Sequence, residues 1–309
     1  GGRGASLTAR SATPDGALAS SAQWRDTVPP IYYINLDRRA DRRALIERQL
    51  GDLGLSATRI SAVAVADISQ ADLDRHCNPV NAVALSRSQL ACAMSHRLCW
   101  RNFIQAGGEW ALVLEDDVLM SARAPGFLDA FLQSPATEMF DLIQLEASAR
   151  RQRVLPAAAH VGETGLRPFC STQWGSAGYL ISRRAAERLA ESPALLEAPV
   201  DQTLFRPYAG PGRDIRMCLA DPALFMQIDK REASPLARGN LTPVVDTRVR
   251  PFPARLQRTW GRLSAFVSSV RFHIKHLPMG VTSEVIAFDA PGQRYVGSKL
   301  EGYGTEIVD

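Results

Sequence analysis

The chain contains 309 residues, of which 46% are hydrophobic and 22% charged, and its formal net charge is +4. This composition is typical of a globular protein and excludes a fully disordered chain, a collagen-like repeat and a small disulfide-stabilised domain. The sequence contains no run near the roughly 18 apolar residues that span a bilayer, so we expect a soluble protein. The length suits one large α/β domain.

Positive charge is concentrated near the C-terminus. Residues 242–280 contain seven Lys or Arg and one Asp, a net +6, which leaves −2 for the remaining chain. A nucleic-acid-binding protein usually carries a basic face over its fold, so we expect no nucleic-acid partner.

The five cysteines include no CxxC pair, and an odd number favours reduced thiols in the cytoplasm over disulfides or structural zinc. The first residues are Gly-Gly-Arg, with no signal-peptide pattern, and we expect the natural chain to begin further upstream.

The elements expected along the chain alternate between strands and helices. Residues 1–28, half of them Gly, Ala or Ser, are expected to form a disordered arm. The apolar run 31–36 predicts a buried strand, and Asp37 is expected to cap a helix that ends near Gly51. Ser86 and Gln89 fit a capping box that opens a second helix, which closes at the glycines 107 and 108.

The later elements follow the same order. A strand at 110–114 runs directly into three acidic residues. Further strands are expected at 141–145 and 178–181, and further helices at 125–132 and 183–191. This alternation predicts an α/β fold with a mostly parallel sheet covered by helices on both faces.

The acidic run Glu115-Asp116-Asp117 is the most informative motif. Ligands bind at the carboxyl ends of strands in open α/β sheets. Adjacent carboxylates repel by about 1 kcal/mol per close pair even in water, and their oxygens suit Mg²⁺ or Mn²⁺. A solvated acidic turn is the alternative.

An arginine cluster follows the first strand. Four arginines at the positive end of a helix are unfavourable unless an anion such as a diphosphate binds there. Alternatively, nearby carboxylates offset them. The arginines are Arg38, Arg39, Arg42 and Arg43, and the carboxylates are Asp37, Asp41 and Glu47.

His96 shares a predicted helix face with Cys92, Cys99 and Phe103. A single inward-facing histidine is usually a hydrogen-bonded core residue, and the residues alone predict no more than that.

Six ordered blocks between residues 30 and 230 resemble glycosyltransferase family 25, which includes bacterial lipooligosaccharide galactosyltransferases and collagen galactosyltransferases. The blocks are 33–43, 91–96, 111–118, 175–182, 199–204 and 221–227. Ala91 departs from the family, which more often has Gly before the cysteine. Residues after 238 are not covered by the resemblance.

The resemblance implies a GT-A-like enzyme that transfers a hexose, most often galactose, from a UDP-sugar with inversion. It implies Mn²⁺ or Mg²⁺ as the cofactor, with Asp117 and Glu115 as metal ligands. It also implies a donor pocket formed by Asn35, Leu36, Arg39, His96, Glu115, Asp116 and Ser176.

Inversion requires a base on the side opposite the leaving UDP. Asp201 is our candidate and Glu146 the alternative, although Asp201 also fits a helix N-cap before 202–205. We expect a glycan or glycolipid acceptor in bacterial lipopolysaccharide synthesis and a cytoplasmic enzyme. A metal-dependent nucleotidyltransferase or phosphohydrolase is the competing enzyme class, and a non-catalytic nucleotide-sugar-binding homologue the other alternative.

The chain therefore divides into a catalytic domain, 29–238, and a C-terminal extension, 239–309. Apolar residues recur at near-helical spacing in the extension, at Leu256, Trp260, Leu263, Val267 and Val270. The pattern fits a basic helix on the inner face of the cytoplasmic membrane through residues 242–280. It fits equally a helix that packs its apolar stripe on the catalytic domain, and general frequency favours packing.

Overall fold

The computed structural model describes residues 28–78, 84–148, 150–228, 252–289, 294–296 and 299–301. The predicted N-terminal arm therefore lies outside the described residues except for Val28. The helices are α1 Ala40–Asp52, α2 Gln70–His76, α3 Arg87–Ala106, α4 Ala124–Phe131, α5 Ala136–Met139, α6 Arg183–Glu191, α7 Val200–Leu204 and α8 Phe252–His276.

The strands are β1 Ile31–Asn35, β2 Ala57–Ser61, β3 Trp110–Glu115, β4 Val118–Met120, β5 Leu142–Gln144, β6 Gln152–Val154, β7 Ala159–Val161, β8 Thr164–Pro168, β9 Gly178–Ser182, β10 Met217–Asp221, β11 Phe225–Gln227, β12 Thr282–Glu284, β13 Arg294–Val296 and β14 Lys299–Glu301. Eight of them form the central sheet, in the order β2-β1-β3-β9-β5-β10-β8-β7.

The α/β class is confirmed, but the sheet is mixed rather than mostly parallel. β1 pairs in parallel with β2 and β3, and β10 with β5. The other four pairings are antiparallel, including both pairings of β9. The sequence pattern missed β6, β7 and β8, which lie between β5 and β9, and the described residues of this connection contain no helix. β7 and β8 enter the sheet as an antiparallel pair, so the strand–helix–strand alternation that makes neighbouring strands parallel is interrupted before β9.

Helices cover both faces, as predicted. Side chains of β3 alternate between two apolar clusters. Ala111 and Val113 face one cluster, which contains Trp100 and Phe103 of α3. Leu112 and Leu114 face the other, in which α1 and α4 pack. The carboxyl end of β3 is thus held between two helical layers, and the acidic run follows it.

Local signals predicted α3 correctly and the start of α1 wrongly. Ser86 Oγ accepts a hydrogen bond from the Gln89 amide at 3.1 Å, and the Gln89 side chain accepts from the Ser86 amide at 2.9 Å. Asp37 does not cap α1, which begins at Ala40 after Arg39. The Asp37 carboxylate instead accepts hydrogen bonds from Arg59 and Ser61, two residues of β2.

Residues 282–289 pack against the same fold. β12 pairs with β6, and Ile286 and Phe288 are buried in the cluster that contains α3. Asp289 accepts hydrogen bonds from Ser121 at 2.6 Å and from Arg123 at 3.1 Å. The predicted domain boundary at residue 238 lies outside the described residues and remains a prediction.

Candidate functional site

Arg42 of α1 balances two carboxylates of the acidic run. Its Nη1 lies 2.8 Å from Oδ1 of Asp116 and 3.1 Å from Oδ2 of Asp117. Both aspartates are buried, 7% and 8% exposed. The repulsion expected between the carboxylates is therefore offset in part by a protein cation, a partner that the sequence analysis did not identify. The arginine cluster could have indicated this partner, because β1 pairs with β3 and brings the start of α1 beside the acidic run.

Asn35 positions Asp116. Its Nδ2 donates to Asp116 Oδ2 at 2.7 Å and to the Arg39 carbonyl at 3.1 Å. Its Oδ1 accepts from Arg59 Nε at 3.0 Å, and the residue is only 1% exposed. These contacts hold Asn35 beneath the site, where it orients the carboxylate. Arg59 was not among the predicted site residues.

The four arginines of the cluster have different partners. Arg39 donates two hydrogen bonds to Asp41, at 2.9 and 2.8 Å, and lowers the pKa of that carboxyl to about 2. Arg43 pairs with Glu47 at 2.9 Å. Arg38 and Arg42 line a cavity together with Leu36. Carboxylates therefore offset Arg39, Arg42 and Arg43, as the alternative interpretation expects. Arg38 and Arg42 also line the cavity, where anion binding stays a prediction.

His96 is buried in a hydrogen-bonded network. The Tyr179 hydroxyl lies 2.8 Å from His96 Nδ1 and accepts from Trp100 Nε1 at 2.8 Å. Burial raises the pKa of Tyr179 well above its usual range, so the hydroxyl keeps its proton. Because Trp100 donates to the Tyr179 oxygen, the proton of that hydroxyl is available to His96 Nδ1. Nδ1 then acts as the acceptor, and we assign the ring hydrogen to Nε2.

Nε2 of His96 faces Glu115. The distance from Nε2 to Oε1 of Glu115 is 3.4 Å, and no group in the described part of the chain forms a hydrogen bond to Nε2. The same Glu115 oxygen accepts from Ser176 Oγ at 2.6 Å. His96 is therefore a core residue on its Nδ1 side and a site residue on its Nε2 side.

Two cavities meet at Glu115. The first, of about 200 Å³, is lined by Leu36, Arg38, Arg42, His96 and Asp116 among others. The second, of about 510 Å³, is lined by Ser148, Arg150, Trp174, Ser176 and Asp201 among others. Cys92 and Glu115 line both. A ligand in one cavity would therefore lie next to a ligand in the other, with Glu115 between them.

Asp201 and Glu146 have different environments. Asp201, in the first turn of α7, is half-buried in the wall of the second cavity. Its Oδ2 accepts from the Gly175 amide at 3.3 Å. Glu146 is 3% exposed and accepts from the Ala177 amide at 2.7 Å. The alternative role of Asp201 as N-cap is wrong, because Pro199 occupies that position.

Among the described residues, one set of three is close enough to hold a metal ion. The ligand atoms of Cys92, His96 and Glu115 lie within 4.8 Å of one another. That set suits zinc, but it requires a thiolate. Burial, with the charges of Glu115, Asp201 and Asp117, raises the pKa of Cys92 well above its usual range. A hard divalent cation prefers oxygen ligands, which the carboxylates of Glu115 and Asp117 supply.

The geometry defines an α/β protein with two adjoining cavities at the end of a sheet strand. Arginines line the first cavity, and Glu115 lies where the two meet. The model of "Glycosyltransferase family 25 (LPS biosynthesis protein)" matches residues 28–204. The chain therefore belongs to glycosyltransferase family 25.

Named relatives match between 56% and 63% of the chain. The "Lacto-N-neotetraose biosynthesis glycosyltransferase LgtB" of Neisseria meningitidis serogroup A is 32% identical over 63% of this chain and 73% of its own length. "Procollagen galactosyltransferase 1" of Danio rerio is 26% identical over 63% of this chain and 35% of its own length. "Inactive glycosyltransferase 25 family member 3" of Homo sapiens is 27% identical over 56% of this chain and 31% of its own length.

A solved structure, a glycosyltransferase involved in glycosylation of the major capsid of PBCV-1, covers 69% of this chain and 97% of its own. Its TM-score is 0.38 at 13% identity, too low to carry an argument about the site.

Proposed function

We propose that the protein transfers a hexose from a UDP-sugar to a hydroxyl of a glycan or glycolipid acceptor, with inversion at the anomeric carbon. Galactose is the hexose that we propose first. Membership of the family and a relative named for lacto-N-neotetraose biosynthesis support a role in surface glycan or lipopolysaccharide synthesis. A relative named as a galactosyltransferase supports galactose. We also assign the reaction to the cytoplasm, because an odd number of cysteines without a CxxC pair is typical of that compartment.

The observation that carries the proposal is the junction of the two cavities at Glu115. Transfer between two substrates requires their reacting atoms to be held about 3–3.5 Å apart. We assign the donor to the first cavity, where Arg38 and Arg42 supply positive charge for a diphosphate. We assign the acceptor to the second cavity, whose wall contains Asp201.

We assign the divalent cation, Mn²⁺ or Mg²⁺, to Glu115 and Asp117, whose oxygen donors suit such ions. A bound cation would supply positive charge against the charge that develops on the leaving diphosphate. His96 would donate from Nε2 to Glu115 or to a phosphate oxygen. Ser176 would hold the Glu115 carboxylate in place, and Leu36 would contact the base or ribose of the donor.

We assign the general base to Asp201. It lines the cavity given to the acceptor and is partly exposed, so it is accessible to an acceptor hydroxyl. Glu146 is the weaker candidate, because it is almost fully buried and thus less accessible to an acceptor. In this scheme Asp201 takes the hydroxyl proton while the acceptor oxygen forms a bond to the anomeric carbon and the bond to UDP breaks.

Calorimetric titration with UDP, in Mn²⁺ and then in EDTA, tests the donor half of the proposal without any knowledge of the acceptor. We expect binding in Mn²⁺ that weakens at least tenfold in EDTA. The Asp117→Asn variant should lose that metal dependence, whereas Asp129→Asn, at an exposed position of α4, should retain it. The absence of UDP binding in both conditions would contradict the proposal.

The products separate the competing functions. A glycosyltransferase releases UDP from UDP-galactose when an acceptor is present. A phosphohydrolase would cleave the diphosphate of UDP-galactose with water and release UMP and galactose 1-phosphate. A nucleotidyltransferase would transfer the UMP group to pyrophosphate, which gives UTP and galactose 1-phosphate. A non-catalytic homologue would bind UDP and release nothing.

A further inference from the structure

Helix α8 carries a row of exposed apolar side chains. Trp260 is 63% exposed, Phe266 64% and Ile274 58%. Further exposed apolar residues on the helix are Leu263, Val267 and Val270, and Leu277 and Met279 continue the series in the next turn. Single exposed apolar residues are ordinary, but a contiguous row of this size marks an interaction surface.

These residues share one face of the helix. At about 100° per residue, the six positions between Trp260 and Ile274 fall within an arc of about 120°. The contact with the protein body is on the other side. Phe272, which lies about half a turn from the centre of the arc, packs on Tyr208 with 6.2 Å between ring centroids. The expectation that α8 packs its apolar stripe on the catalytic domain is therefore wrong, because the stripe faces away from the body.

The charge of this segment is entirely positive. The sequence contains no Asp or Glu between Asp246 and Glu284. Arg271 and Lys275 are exposed on α8, and the helix sequence also contains Arg255, Arg258 and Arg262. Arg271 follows Val270 and borders the apolar arc, so its charge can reach lipid phosphates while neighbouring side chains insert. Basic residues near an anionic membrane surface strengthen binding to that surface.

We propose that α8 docks the protein on an anionic lipid bilayer, with its axis in the plane of the headgroups and its apolar arc at the acyl boundary. Two features argue for a lipid surface over a second copy of this chain. The segment is uniformly basic, so two copies would repel each other, whereas anionic lipid is complementary. The arc also contains Trp260, and tryptophan favours membrane interfaces.

The helix lies on the membrane and does not cross it. Within the described part of the chain, no helix combines the length and the apolar character needed to span a bilayer. A helix with one apolar and one charged face is typical of interfacial binding.

Vesicle flotation tests the proposal. The full chain should float with vesicles of phosphatidylglycerol and phosphatidylcholine, and binding should fall at least tenfold with pure phosphatidylcholine or in 0.5 M NaCl. The double variant Trp260→Glu/Phe266→Glu should lose binding at least tenfold. The variant Trp260→Phe/Phe266→Trp should retain it, because the apolar arc is preserved.

The matched control is Leu98→Glu/Met139→Glu, which introduces the same charge at two exposed apolar positions elsewhere, 39% and 38% exposed. It should float as the unmodified protein does. Circular dichroism and thermal unfolding confirm that each variant is folded. Equal loss in the control, undiminished binding of the α8 variant, or no flotation of the unmodified protein would overturn the proposal. A stable dimer in light scattering without vesicle binding would overturn it in favour of a second copy.

Discussion

Arg42 and Asp116 are joined by an ion pair of 2.8 Å between the first helix and the end of a central strand. The pair is partly buried, with side-chain exposures of 15% and 9%, and Arg42 also contacts Asp117. One guanidinium therefore holds two carboxylates of the acidic run and lines the cavity that we assign to the donor diphosphate.

Replacing Arg42 with Ala should weaken UDP binding and destabilise the fold. The change removes a donor from the diphosphate site and leaves two buried carboxylates less compensated, which costs about 1–3 kcal/mol in the free energy of unfolding. We expect the Kd for UDP to rise at least tenfold in calorimetry. Arg43→Ala is the control, because Arg43 is exposed and pairs with Glu47. Equal affinities of Arg42→Ala and the unmodified protein would refute the diphosphate role.

Asp201→Asn should abolish transfer and preserve donor binding. Loss of a general base reduces kcat by about 10²- to 10⁴-fold, while the Kd for UDP should change by less than twofold. The rate of UDP release gives kcat, and calorimetry gives the Kd for UDP. Glu146→Gln serves as the comparison and should retain most of kcat. A larger loss of kcat in Glu146→Gln than in Asp201→Asn would reverse the two assignments.

Gly175 should tolerate no side chain. Its φ is +96°, and a Cβ there would lie 2.4–2.6 Å from atoms of the Glu146 carboxylate. Gly175→Ala should therefore reduce the free energy of unfolding by about 2 kcal/mol or more in urea titrations. Gly126→Ala is the matched control, since it lies inside α4 with open space around it. That change should be neutral or stabilise by up to about 1 kcal/mol. Similar stabilities of the two variants would show that Gly175 can move away from Glu146.

The features that the sequence predicted well depend on neighbouring residues. The capping box of α3 and the apolar strand before the acidic run are encoded within a few positions, and both are present. The direction of β9 was missed because three unpredicted strands, β6, β7 and β8, and no helix among the described residues, separate it from β5. Local patterns give no indication of where such a connection re-enters the sheet.

The site illustrates the same limit. Arg42 and Asp116 are 74 positions apart, so their ion pair follows from strand pairing and not from either motif alone. The resemblance led to His96, whereas Tyr179, which fixes its ring, is 83 positions away. In α8 the periodicity identified the apolar stripe correctly. It could not tell which face of the helix contacts the body, because that depends on a tertiary contact of Phe272 with Tyr208.

Asp141 should make the stability of the protein depend on pH in the acid range. Burial tends to raise the pKa of this carboxyl, but hydrogen bonds from Arg216 and Arg184 outweigh it and lower the pKa to about 2, from an ordinary 3.8. A carboxyl with a lowered pKa in the folded protein stabilises the fold above its unfolded pKa. That stabilisation is lost as the pH falls towards 2. The difference of about two pKa units corresponds to about 2 kcal/mol.

We therefore expect Asp141→Asn to lower the free energy of unfolding by about 2 kcal/mol at pH 6, measured by urea titration. The deficit relative to the unmodified protein should shrink between pH 4 and pH 2, because protonation removes the same charge from Asp141. Asp129→Asn, at an exposed position of α4, should follow the unmodified protein at every pH. A deficit that stays constant down to pH 2 would mean that Asp141 stabilises the fold through shape or neutral hydrogen bonds, and not through its charge.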